Sequence, residues 1–145
     1  MSAAVDPIDD SGGTRLVLVD THPERRTIMR NVFEHSNVEV IVVGEAGTQA
    51  GATGLVDQHG ADLVIIDLSA PVTDGMETIA ALRRRFLDLA IVVCSFNNEP
   101  ATRQEALQRG ADAYLLKPVS AREVLAAVPD RARREDPLRS TVTVH

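Results

Sequence analysis

The chain has 145 residues, of which 44% are hydrophobic and 25% charged, with a net charge of −6 and a single cysteine, Cys94. That size suits one packed domain, and one cysteine excludes a disulfide scaffold. An aromatic fraction of 3% without tryptophan argues against a stacking platform for single-stranded nucleic acid, and the acidic balance argues against any polyanion as main partner.

Residues 1–13 carry Asp6, Asp9 and Asp10 among Pro, Gly and Ser, which predicts a disordered acidic leader and not a signal peptide. No apolar stretch approaches the ~20 residues that a membrane-spanning helix needs, so no membrane insertion and a cytoplasmic location are expected. Residues 129–145 are charged and broken by Pro129 and Pro137, and are expected to form a tail. One domain over 14–128 remains.

Within that span two periodicities alternate. Arg15–Val19 is a short apolar run ending at Asp20, and similar runs recur at Val38–Val43, Leu63–Ile66, Ala90–Val93 and Ala113–Leu116. Apolar runs without polar alternation predict strands buried on both faces, as in a parallel sheet covered by helices. Between them Ile28, Met29, Val32 and Phe33 repeat at helical spacing, as do Ile79, Leu82 and Phe86, and then Val124, Leu125 and Val128. Thr21-x-x-Glu24 and Ser120-x-x-Glu123 match the capping box. Residues Thr48 to His59 form the weakest helix, because Gly51 and Gly54 each cost about 1 kcal/mol relative to alanine. Arg83-Arg84-Arg85 reads as a solvated helix face. Five strands alternating with five helices predict a doubly wound α/β fold, with its site at the C-terminal strand ends.

Those strand ends carry the chemistry: Asp20 and Thr21 after strand one, Asp67 after strand three, Ser95 after strand four, and Lys117-Pro118 after strand five. Two carboxylates, a hydroxyl and an ammonium converging on one sheet edge point to phosphate or metal chemistry. Taken singly, each residue has a plainer use. Thr21 reads first as a helix cap, Ser95 as a backbone-bonded hydroxyl, Tyr114 as a packed aromatic, Cys94 as a small buried hydrophobe, and His22 as a solvated loop residue.

Leu-Val-Leu-Val-Asp20-Thr-His-Pro23, Ile-Ile-Asp67-Leu-Ser-Ala-Pro71-Val-Thr-Asp-Gly75 and Gly110-Ala-Asp-Ala-Tyr114-Leu-Leu-Lys117-Pro118 together resemble the receiver domains of two-component response regulators, in order and at the matching strand ends. The resemblance implies a flavodoxin-like (βα)5 receiver fold with Asp67 as phosphoacceptor, served by a histidine kinase or a small phosphodonor. It implies Mg2+ held by Asp20, Asp67 and the backbone carbonyl of Ser69, with Thr21 at the position of a further ligand. Lys117 would neutralise a phosphoryl oxygen. Ser95 would shift toward the phosphoryl group and let Tyr114 rotate inward.

The expected function is a stand-alone receiver that signals to a downstream protein through its fourth-helix, fifth-strand and fifth-helix face, a face that would also admit a weak homodimer. It would not be an enzyme beyond its own phosphorylation and dephosphorylation. Two departures favour an alternative, a degenerate receiver that binds its partner without phosphorylation. Thr21 stands where the family has a second acid, and Phe96 is bulky beside the site. Other classes fit less well. An aspartate-based phosphatase needs an acid two residues after its nucleophile, where this chain has Ser69. A flavin mononucleotide carrier needs a glycine- and hydroxyl-rich loop after strand one.

Overall fold

Each apolar run becomes a parallel strand in a computed structural model that describes residues 13–68 and 72–133. In chain order the elements are β1 (Thr14–Val19), α1 (Pro23–Glu34), β2 (Val40–Ala46), α2 (Gln49–His59), β3 (Leu63–Ile66), α3 (Val72–Arg85), β4 (Ala90–Ser95), α4 (Pro100–Arg109), β5 (Ala113–Leu116) and α5 (Ala121–Ala126). The five strands form one sheet in the order β2-β1-β3-β4-β5. The order reverses beside β1, so the C-terminal ends of β1 and β3 open a crevice there.

Each face of the sheet has its own core. Leu16, Leu18, Ile65, Val92 and Cys94 pack against Met29 and Phe33 of α1 and Val124 of α5. On the other face Val17, Ile66 and Val93 meet Val56 of α2, Ile79 and Leu82 of α3, and Ala106 of α4. Burial on both faces is why β3 and β4 read as unbroken apolar runs.

Four local expectations are corrected. The Thr21 capping box does not form: His22 is the N-cap of α1 and Pro23 occupies the first turn. A proline is pre-set for that first position, and starting there puts Arg25, not Glu24, three residues past the cap. The box at Ser120 and Glu123 is present on α5. Helix α2 runs its full length despite its glycines, because Thr48 Oγ1 accepts from the Gly51 amide at 3.1 Å and Ala52 and Val56 are buried. Gly60 ends it with φ +61°, a left-handed conformation that glycine adopts without strain.

Ile28, expected in the core, is 65% exposed. Arg83 leaves its solvated neighbours and folds under the sheet. It donates to the carbonyls of Gly110, Phe86, Leu87 and Leu89 and bridges Asp112 at 2.9 Å.

The packed chain also continues past Val128. A 3-10 turn, Asp130–Ala132, buries Ala132, and Arg131 pairs with the other oxygen of Asp112 at 2.7 Å. The rest of the expected tail from residue 134, and residues 1–12 of the expected leader, lie outside the described residues. Among the described residues no helix is long and apolar enough to cross a membrane.

Candidate functional site

The crevice is a cleft of about 250 Å³ lined by Asp20, Thr21, Gly47, Asp67, Asp74 and Glu77, among others. Ladder hydrogen bonds fix its floor. The Asp20 amide donates to Ala46 O and the Asp67 amide to Val19 O, so both acids leave the sheet at one level. Asp20 is buried, and its Oδ1 accepts from the His22 amide at 2.9 Å. This turn satisfies part of the carboxylate charge and fixes its direction.

Lys117 reaches across from the end of β5 and its Nζ contacts Asp67 Oδ2 directly. The two side chains are only 13% and 10% exposed. The structure thus brings Asp20, Asp67 and Lys117 together around one small space. Thr21 opens onto the cleft, but its Oγ1 lies 3.0 Å from His22 Nδ1. Ser69 lies outside the described residues.

Ser95 and Tyr114 do not line the cleft. Ser95 is buried, donates to Leu68 O at 3.4 Å and accepts from the Asn97 amide at 3.1 Å. Tyr114 is 3% exposed, with its hydroxyl donating to Asn97 O at 2.7 Å and the Arg103 guanidinium 5.9 Å from its ring centre. Asn97 therefore joins the two. Phe96 is 75% exposed and sits off the cleft. Its ring lies 5.5 Å from Lys117 Nζ and helps line a separate apolar groove with Ile28, Val32 and Pro118. Burial pushes the Cys94 thiol up to about 12, so at neutral pH it stays protonated inside the α1/α5 core.

Sequence reasoning missed three residues of this neighbourhood. Asp74 and Glu77 share one face of α3 at i, i+3 spacing and add negative charge to the mouth of the cleft. Arg26, the third, donates from one NH to the backbone carbonyl of Asp20. Spacing alone would have flagged Asp74 and Glu77 once α3 was placed, whereas nothing in the sequence pairs Arg26 with Asp20.

Among the described residues no group of three or more His, Cys, Asp or Glu side chains could hold a metal ion. Mg2+ asks less, since it is often held by one or two carboxylates, with water and phosphate oxygens completing its octahedron. Asp20 and Asp67, both hard oxygen donors on the same cleft, fit that need. Thr21 offers the cleft only a neutral hydroxyl, already turned to His22.

A parallel sheet of this order, with two acids and a lysine gathered at its switch point, defines a receiver-type α/β module. Residues 16–129 match the response regulator receiver domain, and the chain belongs to that family. Members are signalling modules of two-component systems that partner with histidine kinases and generally bind Mg2+, and they are not enzymes beyond their own phosphorylation and dephosphorylation.

The chain is 34% identical over 128 residues to the nitrate/nitrite response regulator protein NarL of Escherichia coli K12, covering 88% of this chain and 59% of NarL. It thus spans less than two thirds of that relative. With the chemotaxis protein CheY of Listeria monocytogenes it shares 28% identity over 82% of this chain and 98% of CheY. The signal receiver domain of the putative response regulator NarL from Mycobacterium tuberculosis superposes with a TM-score of 0.71 at 36% identity, over 83% of this chain and 97% of that one.

Proposed function

We propose that this receiver accepts a phosphoryl group on Asp67 and passes the signal on by binding another protein. The observation that carries the reading is the Asp67–Lys117 contact beside Asp20 at the head of the cleft. Asp67 Oδ1 would attack phosphorus as the bond to the donor breaks, a phosphohistidine nitrogen or the acyl oxygen of a small donor leaving with its electron pair. An ionised carboxylate has no proton to lose, so no general base is needed. Lys117 would slide from Asp67 Oδ2 to a phosphoryl oxygen, keeping one positive charge against the growing negative one.

Asp20 and Asp67 would hold Mg2+, which when bound supplies charge neutralisation to the carboxylate and the incoming phosphoryl group. Because Thr21 contributes no charge, occupancy would need higher Mg2+ than a three-carboxylate site. Ser95 would report the phosphoryl group to Tyr114 through Asn97, and the face made by α4, β5 and α5 would carry the contact with the downstream protein. A cytoplasmic setting goes with this reading.

One observation favours a second reading, in which a partner binds without phosphorylation. The Tyr114 ring is already inward and its hydroxyl already bonded. Such an arrangement would let the face bind a partner without a phosphoryl group to drive it.

Intact mass after incubation with acetyl phosphate and Mg2+, alongside Asp67→Asn, separates the two. A phosphoryl adduct on the wild type alone supports the first reading. No adduct at high Mg2+, even with Phe96→Ala, rejects it in favour of the second.

A further inference from the structure

We infer that Arg26, held by Glu45, is a positioning residue that locks the Asp20–Thr21 turn in place. The inference deepens the reading above and rests on it where Mg2+ is concerned. It begins in the pairing of β1 with β2. Leu16 faces Val42, yet the next residue, Val17, faces Gly44, so the register slips by one residue. A slip of one residue swaps every following side chain to the other face.

Val42 accordingly belongs to the α1/α5 core and Val43 to the opposite one. Without the slip Glu45 would follow Val43 onto the α2 side. With it, Glu45 pairs with Leu18 and faces α1. The slip is tolerated at a glycine because a Cβ on Gly44 would come within 2.8 Å of Leu55.

There Glu45 meets two arginines. Its Oε1 accepts from Arg26 Nε at 3.2 Å and its Oε2 from Arg30 Nε at 2.6 Å. The planar guanidinium of Arg26 then has its NH edge aimed at the Asp20 carbonyl, to which it donates. Gly47 lets it through, since a Cβ there would lie 3.3 Å from the same nitrogen and 3.7 Å from Asp20 O. One rigid fork thus ties α1, the end of β2 and the backbone of Asp20.

The Asp20 carboxylate is aimed by this same turn, through the His22 amide. A family second acid would strengthen the metal site by charge. Here Arg26 strengthens it by geometry, since a fixed backbone leaves the single carboxylate of the turn with little entropy to lose.

Arg26→Met, Arg26→Lys and Glu45→Gln test this by two readouts. The first, amide hydrogen exchange at Asp20 and His22 in metal-free protein, needs neither Mg2+ nor phosphorylation. The second is the Mg2+ dissociation constant by calorimetric titration.

Exchange at both amides should accelerate in Arg26→Met while amides of β3 and β4 keep their protection. Mg2+ affinity should fall by about 10–100-fold, the usual cost of removing a group that orients a metal ligand. Arg26→Lys should not rescue either readout, because a single ammonium nitrogen lacks the planar fork whose separate nitrogens reach Glu45 and the Asp20 carbonyl at once. Glu45→Gln, a milder change on the edge strand, should move both the same way by less.

Unchanged exchange at Asp20 and His22 in Arg26→Met overturns the proposal, and so does full rescue by Arg26→Lys, which would make charge alone the cause. If the wild type takes neither Mg2+ nor a phosphoryl group, the proposed function fails, and the exchange readout alone still decides for or against Arg26.

Discussion

Lys117 and Asp67 lie 50 residues apart in the chain and meet as a nearly buried ion pair at the ends of β5 and β3. On the proposed reading, the cation that would meet a phosphoryl oxygen rests on the residue that would accept the group. Its partner acid Asp20 lines the same small space, so removing the lysine would leave two carboxylates sharing it without a cation.

Lys117→Met should therefore destabilise the domain by about 1–3 kcal/mol, less than the ~3–5 kcal/mol that breaking a fully buried pair costs, because the cleft admits water. Asp67→Asn combined with Lys117→Met should recover most of that loss. Urea denaturation of the two single variants and the double one checks this. A double variant as unstable as Lys117→Met alone would mean that the lysine acts through packing, not charge.

The Glu45 carboxylate gives a pH prediction. Burial pushes its pKa up, but hydrogen bonds from Arg30 and then Arg26, with their charges, outweigh it and leave it below the usual carboxylate value. Burial opposes the charge of Arg30 too, and its bonds to Glu45 and Glu34 prevail. The charged groups facing Glu45 are Arg26 and Arg30 of α1, with Glu34 on the far side of Arg30. A carboxylate depressed in the folded state binds protons more readily when unfolded. Its contribution is complete above the unfolded value of about 4.5 and is lost as pH falls through the folded one. Glu45→Gln should thus be less stable than wild type at pH 7, with the gap closing below about pH 4. Thermal melts from pH 3 to 7 measure it, and a gap that persists at pH 3 would rule out the ion pairs as its source.

The strand ends were legible because a buried parallel strand announces itself by its apolar run and stops at its first polar residue. Asp20, Asp67 and Lys117 could be placed on one edge from that alone. What the sequence hid were the contacts made sideways. The slipped register at Gly44 leaves Val-Ile-Val-Val looking like an ordinary strand, so the turn of Glu45 toward Arg26 has no signature. Tyr114 and Asn97 are likewise joined only by tertiary packing. Thr21-x-x-Glu24 misled for the opposite reason. Its pattern was right, but Pro23 sets the helix start one residue later.

Gly54 of α2 and Gly44 of β2 are glycines of two kinds. A Cβ at Gly54 would meet nothing within 4 Å, whereas one at Gly44 would run into Leu55. Gly54→Ala should stabilise the domain by about 0.5–1 kcal/mol by restricting the unfolded chain. Gly44→Ala should destabilise it, since Leu55 must move or the slipped register must give way. Chemical denaturation of both variants checks the opposite signs. A stabilising Gly44→Ala would show that the slip does not depend on that glycine.

Cys94 is fully buried in the α1/α5 core with its thiol pushed up to about 12. Thiolate is the reactive form, so alkylation by iodoacetamide at pH 7.5 should be negligible in the native protein and complete in 6 M guanidinium. Mass spectrometry after a timed exposure distinguishes the two, and rapid native labelling would mean that the core beside Asp67 opens on that timescale.

Three consecutive arginines end α3, and their fates diverge. Arg84 is exposed, and Arg85 makes a surface bridge with Asp57 at 3.2 Å. Arg83 instead satisfies three carbonyls of the α3–β4 connection, together with the Gly110 carbonyl and the Asp112 carboxylate between α4 and β5. Gly110 makes this possible: its φ of +124° turns the chain there, and a Cβ on it would come within 2.7 Å of the Arg83 side chain. Arg83→Ala would take the guanidinium from the carbonyls of Gly110, Phe86 and Leu87, leave Leu89 O with Arg131, and leave Asp112 with Arg131 and the Ile91 amide. A loss of about 2–3 kcal/mol is expected, against no more than about 0.5 kcal/mol for Arg84→Ala. Equal losses in urea denaturation would mean that the carbonyls are satisfied by water once the guanidinium is gone, and that Asp112 needs only one arginine to hold β4 and β5 together at their N-terminal ends.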